Sequence, residues 1–119
     1  MFKVVLGSMK NLTDVSPLSN VRKLSIMDCV NVTDISMLGN IPYLLLSDLP
    51  GVKDISKLGN HVRLIIQRVG NHSSHGDLSH LGKIRNTLRI GSEIAQFQDA
   101  SVIKFLQMKV NDFKILSFN

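Results

Sequence analysis

The chain has no tryptophan, one tyrosine (Tyr43), one glutamate (Glu93) and one cysteine (Cys29). Aromatic residues make up only 5%, so aliphatic side chains must fill the interior. A lone cysteine excludes an internal disulfide framework. No N-terminal run combines a basic start, an apolar stretch and a small-residue cleavage site, and no apolar run reaches membrane-spanning length. The expected setting is therefore a reducing intracellular compartment, without membrane contact. With a single glutamate, paired-carboxylate catalysis would have to draw on aspartates that a turn motif already uses. No glycine-rich phosphate loop follows a strand pattern. The expectation is a protein that is not an enzyme and carries no cofactor.

What is abundant is a period. Asn11-Leu-Thr-Asp-Val-Ser-Pro-Leu-Ser-Asn20, Asn31-Val-Thr-Asp-Ile-Ser-Met-Leu-Gly-Asn40 and Gly51-Val-Lys-Asp-Ile-Ser-Lys-Leu-Gly-Asn60 recur every 20 residues. A fixed short period implies stacked coils, each burying its apolar face against its neighbours. At 119 residues, 44% hydrophobic and 19% charged, the chain is expected to form one ordered domain across residues 1–119.

Apolar spacing resolves one coil. From Val21 the series runs Leu24, Ile26, Cys29, Val32, Ile35 and Leu38; the next runs Ile41, Leu44, Leu46, Leu49, Val52, Ile55 and Leu58. The step of two inside each series marks a short strand, because alternate side chains share a face. Steps of three suit tight turns or 3₁₀ segments. Asp14, Asp34 and Asp54, each followed two residues later by serine, are read as turn initiators whose carboxylates accept backbone N–H groups. Gly39 and Gly59 are expected to supply a left-handed residue where the return ends, and Asn20, Asn40 and Asn60 to satisfy backbone groups there.

This pattern resembles the leucine-rich repeat, with Leu24-Ser-Ile26 and its equivalents matching the Leu-x-Leu strand motif. Cys29-Val-Asn-Val32-Thr33-Asp34 is similar to the signature of the cysteine-containing subclass, known from substrate-recognition domains of F-box ubiquitin-ligase adaptors. The coil here is shorter than theirs, Leu49 and Val69 replace the cysteine later, and no F-box precedes the array. The 20-residue form looks most like the short repeat arrays of large DNA viruses of amoebae, the marseillevirus group especially. The resemblance implies an α/β leucine-rich repeat solenoid: short parallel β-strands on one face, turns and 3₁₀ segments on the other, and little true helix. About five to six coils are expected, irregular after residue 70. It also implies a viral protein acting in the host cytoplasm or nucleus.

The repeat breaks twice. Val4 and Leu6 open the chain directly with a strand, so either Met1-Phe2-Lys3 suffices as a cap or two copies meet at that end as a homodimer. After Val69 the period slips: Asp77-Leu-Ser-His-Leu-Gly82 matches Asp54-Ile-Ser-Lys-Leu-Gly59 with a shift of 23, placing an insertion within residues 70–76. His72, His75 and His80, with Asp77, are the one cluster resembling a zinc-ligand set. Asp77 has the repeat's turn role and His80 the solvent-facing place of Lys57, so the expectation is a polar loop without metal. Further on, Ile103, Leu106 and Met108 repeat the step of three then two and suggest a strand. Residues 110–119 are read as a terminal cap, with a last strand over Phe113–Phe118.

Parallel stacking would place the residues flanking each buried pair in outward columns. These read Lys3, Lys23, Tyr43, Arg63, Thr87, Phe105; then Val5, Ser25, Leu45, Ile65, Arg89, Gln107; then Gly7, Met27, Ser47, Gln67, Gly91, Lys109. The expected face is basic with no acidic member, around an apolar patch. Apolar area rimmed by charge marks protein contacts, and the candidate binding residues are Lys23, Met27, Tyr43, Leu45, Arg63, Ile65 and Arg89. The leading expectation is a protein partner. The net charge of +5 leaves a nucleic-acid or anionic-surface binder as the second reading, and self-association as the third.

Overall fold

The computed structural model describes residues 3–70 and 75–117. Its centre is one six-stranded parallel sheet in sequence order: β1 (Lys3–Gly7), β2 (Lys23–Met27), β3 (Tyr43–Leu49), β4 (Arg63–Val69), β5 (Thr87–Gly91) and β6 (Asp112–Leu116). The described residues hold two α-helices, the single-turn α1 (Ser92–Ala95) and α2 (Ala100–Lys109). The class is α/β with little helix, and the arrangement is compatible with a repeat solenoid.

The 20-residue period is the sheet register. Leu24 lies beside Leu44 and Leu44 beside Leu64; Ile26, Leu46 and Ile66 form the parallel column. After the insertion the offset becomes 24, with Arg63 opposite Thr87, and both columns continue through Leu88 and Ile90. Like residues thus stack on like, and the columns from β2 to β5 are at most 2% exposed. The return segments add further buried columns: Val15, Ile35, Ile55 and Leu78, then Leu38, Leu58 and Leu81. At the last strand the core thins, leaving Phe113 half-buried and Ile115 39% exposed.

The turn motif closes as its chemistry requires. The Oδ1 atoms of Asp14, Asp34, Asp54 and Asp77 accept the backbone N–H of Ser16, Ser36, Ser56 and Ser79 at 2.7–2.9 Å. Three of these turns lead into 3₁₀ segments at Ser16–Leu18, Ser36–Leu38 and Ser79–Lys83.

Gly39 departs from expectation. Its φ is −66°, within the right-handed region, so conformational freedom is not its reason. A Cβ there would fall on the Lys57 carbonyl oxygen, so glycine lets adjacent returns approach. Gly59, with φ +151°, does need glycine's freedom. The corner asparagines bond to each other, Asn60 Nδ2 donating to Asn40 Oδ1 at 2.8 Å.

The expected strand at Ile103–Met108 is instead part of α2. Val102 and Leu106, one helical turn apart, point into the core, and the Phe105 ring lies over Gly82. The face that packs is Val102, Ile103 and Leu106, at helical spacing, while Met108, two residues after Leu106, is 77% exposed. The last strand is Asp112–Leu116, slightly earlier than expected, and Phe118 lies outside the described residues.

Candidate strand-face interface

Parallel sheets are usually covered on both faces. Here one face packs on the core and the other is open along its rows. The first row reads Lys3, Lys23, Tyr43, Arg63, Thr87 and Asp112; the second reads Val5, Ser25, Leu45, Ile65, Arg89 and Lys114. The helical placement of Phe105, Gln107 and Lys109 removes them from these rows, and β6 supplies Asp112, Lys114 and Leu116 instead.

This corrects the expectation of a face without acidic members. Asp112 accepts from Arg89 Nη2 at 2.9 Å, and its backbone carbonyl accepts from Nη1 at 3.0 Å. The Arg89 guanidinium holds the Asp112 carboxyl below its usual range. Arg89 is thereby drawn towards the β6 edge, away from the centre of the face.

The other candidates gather. Lys23, Tyr43, Leu45, Arg63 and Ile65 line one shallow cavity of about 210 Å³, joined by Lys3 and Ser25. The Lys23 ammonium stands 5.2 Å from the centre of the Tyr43 ring, a cation–π contact. Tyr43 is 39% and Val5 54% exposed, while Leu45 and Ile65 are half-buried side by side as the cavity's apolar part. Met27 lies in the third row beside Ser47, outside the cavity.

The histidine cluster is not assembled among the described residues, and His72 lies outside them. His75 Nε2 is 2.6 Å from the Val69 carbonyl oxygen, and Asp77 is engaged by Ser79. His80 is half-buried with an unpartnered Nε2, rather than facing solvent as Lys57 does. No group of three metal-ligating side chains occurs among the described residues.

Sequence reasoning missed a second array at the strand ends. Ser8, Asp28, Asp48 and Arg68 all have φ of 52–55°, a left-handed column without glycine. Ser8 Oγ donates to Asp28 Oδ2 at 3.0 Å, and Arg68 forks onto Asp48 at 2.5 and 2.8 Å. Hydrogen bonding to Arg68 keeps the Asp48 carboxyl below its normal range. The signal was available: Asp28 and Asp48 are 20 residues apart.

Glu93 was also missed in this role. Ser8 N–H and Asp28 N–H donate to carbonyls of the next strand, Met27 O and Ser47 O. Beside Arg68 the next strand, β5, passes into α1, and Glu93 Oε1 accepts the Arg68 N–H at 2.5 Å in place of a carbonyl. Gln98 acts similarly, accepting from Leu78 N–H and donating to Gly76 O.

Comparison with family models, with curated proteins and with solved structures finds no match.

Proposed function

We propose that this chain is a non-enzymatic protein-interaction module of the leucine-rich repeat type, a single-domain solenoid engaging its partner through the open strand face. The supporting observation is the convergence of Lys23, Tyr43, Leu45, Arg63 and Ile65 on one cavity of the uncovered face. A solvated strand row carries polar side chains; this one carries Val5, Leu45 and Ile65. A tyrosine and an arginine beside aliphatics have the composition of an interface hot spot. Turn-bound aspartates and serines leave the described residues without a nucleophile–base pair on this face, in keeping with binding rather than catalysis. On the resemblance of the repeat to viral arrays, the partner is a protein of the host cell.

The test is recovery of partners from host-cell lysate by wild type, by Leu45→Asp/Ile65→Asp, and by Lys53→Asp on an exposed return. The reading expects a partner held by wild type and Lys53→Asp but lost by the double variant. A partner retained by the double variant contradicts it.

A further inference from the structure

Ion pairing is uneven over the open face. Arg89 is engaged by Asp112 and Arg68 by Asp48, whereas no carboxylate among the described residues pairs with Lys3, Lys23 or Arg63. These three cations share the first row with Tyr43, spanning three strand spacings, or about 14 Å. Along the strands the charge changes. The apolar pair Leu45 and Ile65 lies about 6.6 Å beyond the cationic row. Met27, Ser47 and Gln67 follow, and the carboxylates of Asp28 and Asp48 close the strand ends. The face is therefore positive where the strands begin and apolar in the middle, and at the strand ends Asp28 stands beside the Asp48–Arg68 ion pair.

Resting on the reading of this face as a protein contact, we propose that the partner segment is an acidic peptide with a bulky apolar side chain. Its carboxylates pair with Lys3, Lys23 and Arg63, and its apolar side chain sits on Leu45 and Ile65. Three cations without a salt bridge among the described residues, beside half-buried apolar surface, are complementary to that combination, and complementary charge fixes orientation as well as partner choice. A nucleic-acid strand fits less well. Its uniform negative charge would meet Asp112 at one end of the cationic row, and Tyr43 is the single aromatic of the rows for base stacking.

The test selects a random-peptide phage library on wild type, on Leu45→Asp/Ile65→Asp and on Lys23→Glu/Arg63→Glu, each first shown to melt as wild type does. Wild type is expected to enrich peptides with Asp or Glu near Leu, Ile, Phe or Trp. Charge reversal should weaken those peptides by about tenfold or more, and the apolar variant should abolish them. Peptides that need Leu45 and Ile65 but show no acidic excess, or that bind the charge-reversed variant equally well, overturn the acidic-partner inference and leave the protein-contact reading standing. Peptides indifferent to Leu45→Asp/Ile65→Asp, or no enrichment at all, overturn both. A single-stranded oligonucleotide that displaces the peptides with equal affinity overturns the inference in favour of a general polyanion site.

Discussion

His61 occupies the place held by Val21, Ile41 and Ile84 in the other repeats. It is 5% exposed; its Nδ1–H donates to the Ile41 carbonyl at 2.5 Å, and Nε2 is buried without a partner among the described residues. Burial pushes its pKa below the ordinary value of 6.5, against the opposing effect of the Ile41 hydrogen bond. The unfolded chain then binds a proton more readily than the folded one. His61's contribution is intact above pH 6.5 and is lost as pH falls from there towards the lower folded pKa. His61→Ile should raise the urea midpoint at pH 5 more than at pH 8. Equal shifts at both pH values would contradict this account.

Glu93 makes a second prediction at this scale. Glu93→Ala leaves the Arg68 N–H without its acceptor and should cost about 1–3 kcal/mol in chemical denaturation. Glu93→Gln keeps an acceptor oxygen and should cost less. No motif flagged Glu93, because its partner is a backbone group 25 residues away.

At the scale of the element, the repeat made the strands and returns readable, since each residue type recurs where the same neighbours recur. Legibility ended where the period did. Val102 and Leu106 of α2 carry apolar spacing that a strand could share, and only packing against the Ser79–Lys83 turn selects the helix. Glycine roles were only partly legible for a related reason: sequence shows that Gly39 and Gly59 recur, but not that one avoids a carbonyl and the other needs a positive φ.

Gly39→Ala should therefore be among the costliest single-methyl additions, because the Cβ meets backbone that cannot rotate aside. Gly7→Ala, whose Cβ would find its nearest neighbour at 3.8 Å, should be close to neutral. Thermal melts of the two variants check this contrast. The turn aspartates act together. In Asp14 and Asp54 the following serine's hydroxyl chiefly lowers the pKa, with its amide second; in Asp34 and Asp77 the amide comes first. Their stabilisation is present above pH 3.8 and is lost as pH falls below it. A variant with Asp34→Asn and Asp54→Asn should show a shallower acid-side loss.

For the whole molecule, the question is why one face of a parallel sheet stays open. Its outer rows keep Val5, Leu45 and Ile65 beside Lys3, Lys23 and Arg63, whereas the inner columns are sealed by the returns. The composition of the central face was legible from the columns between residues 3 and 65, where the period holds. Its β6 edge was not. Asp112 enters the first row because α1 and α2 occupy the chain between the last two strands, and it draws Arg89 out of the central group. The candidate set thus contracts to the residues around Tyr43 and gains Lys3.

Methyl NMR of the protein titrated with a peptide selected on wild type tests that claim most directly. The account predicts shifts at the Leu45, Ile65 and Val5 methyls on the open face, while Ile35, Leu38 and Ile55 beneath the returns stay in place. Shifts confined to the return side, or to the β1 and β6 edges, would contradict it.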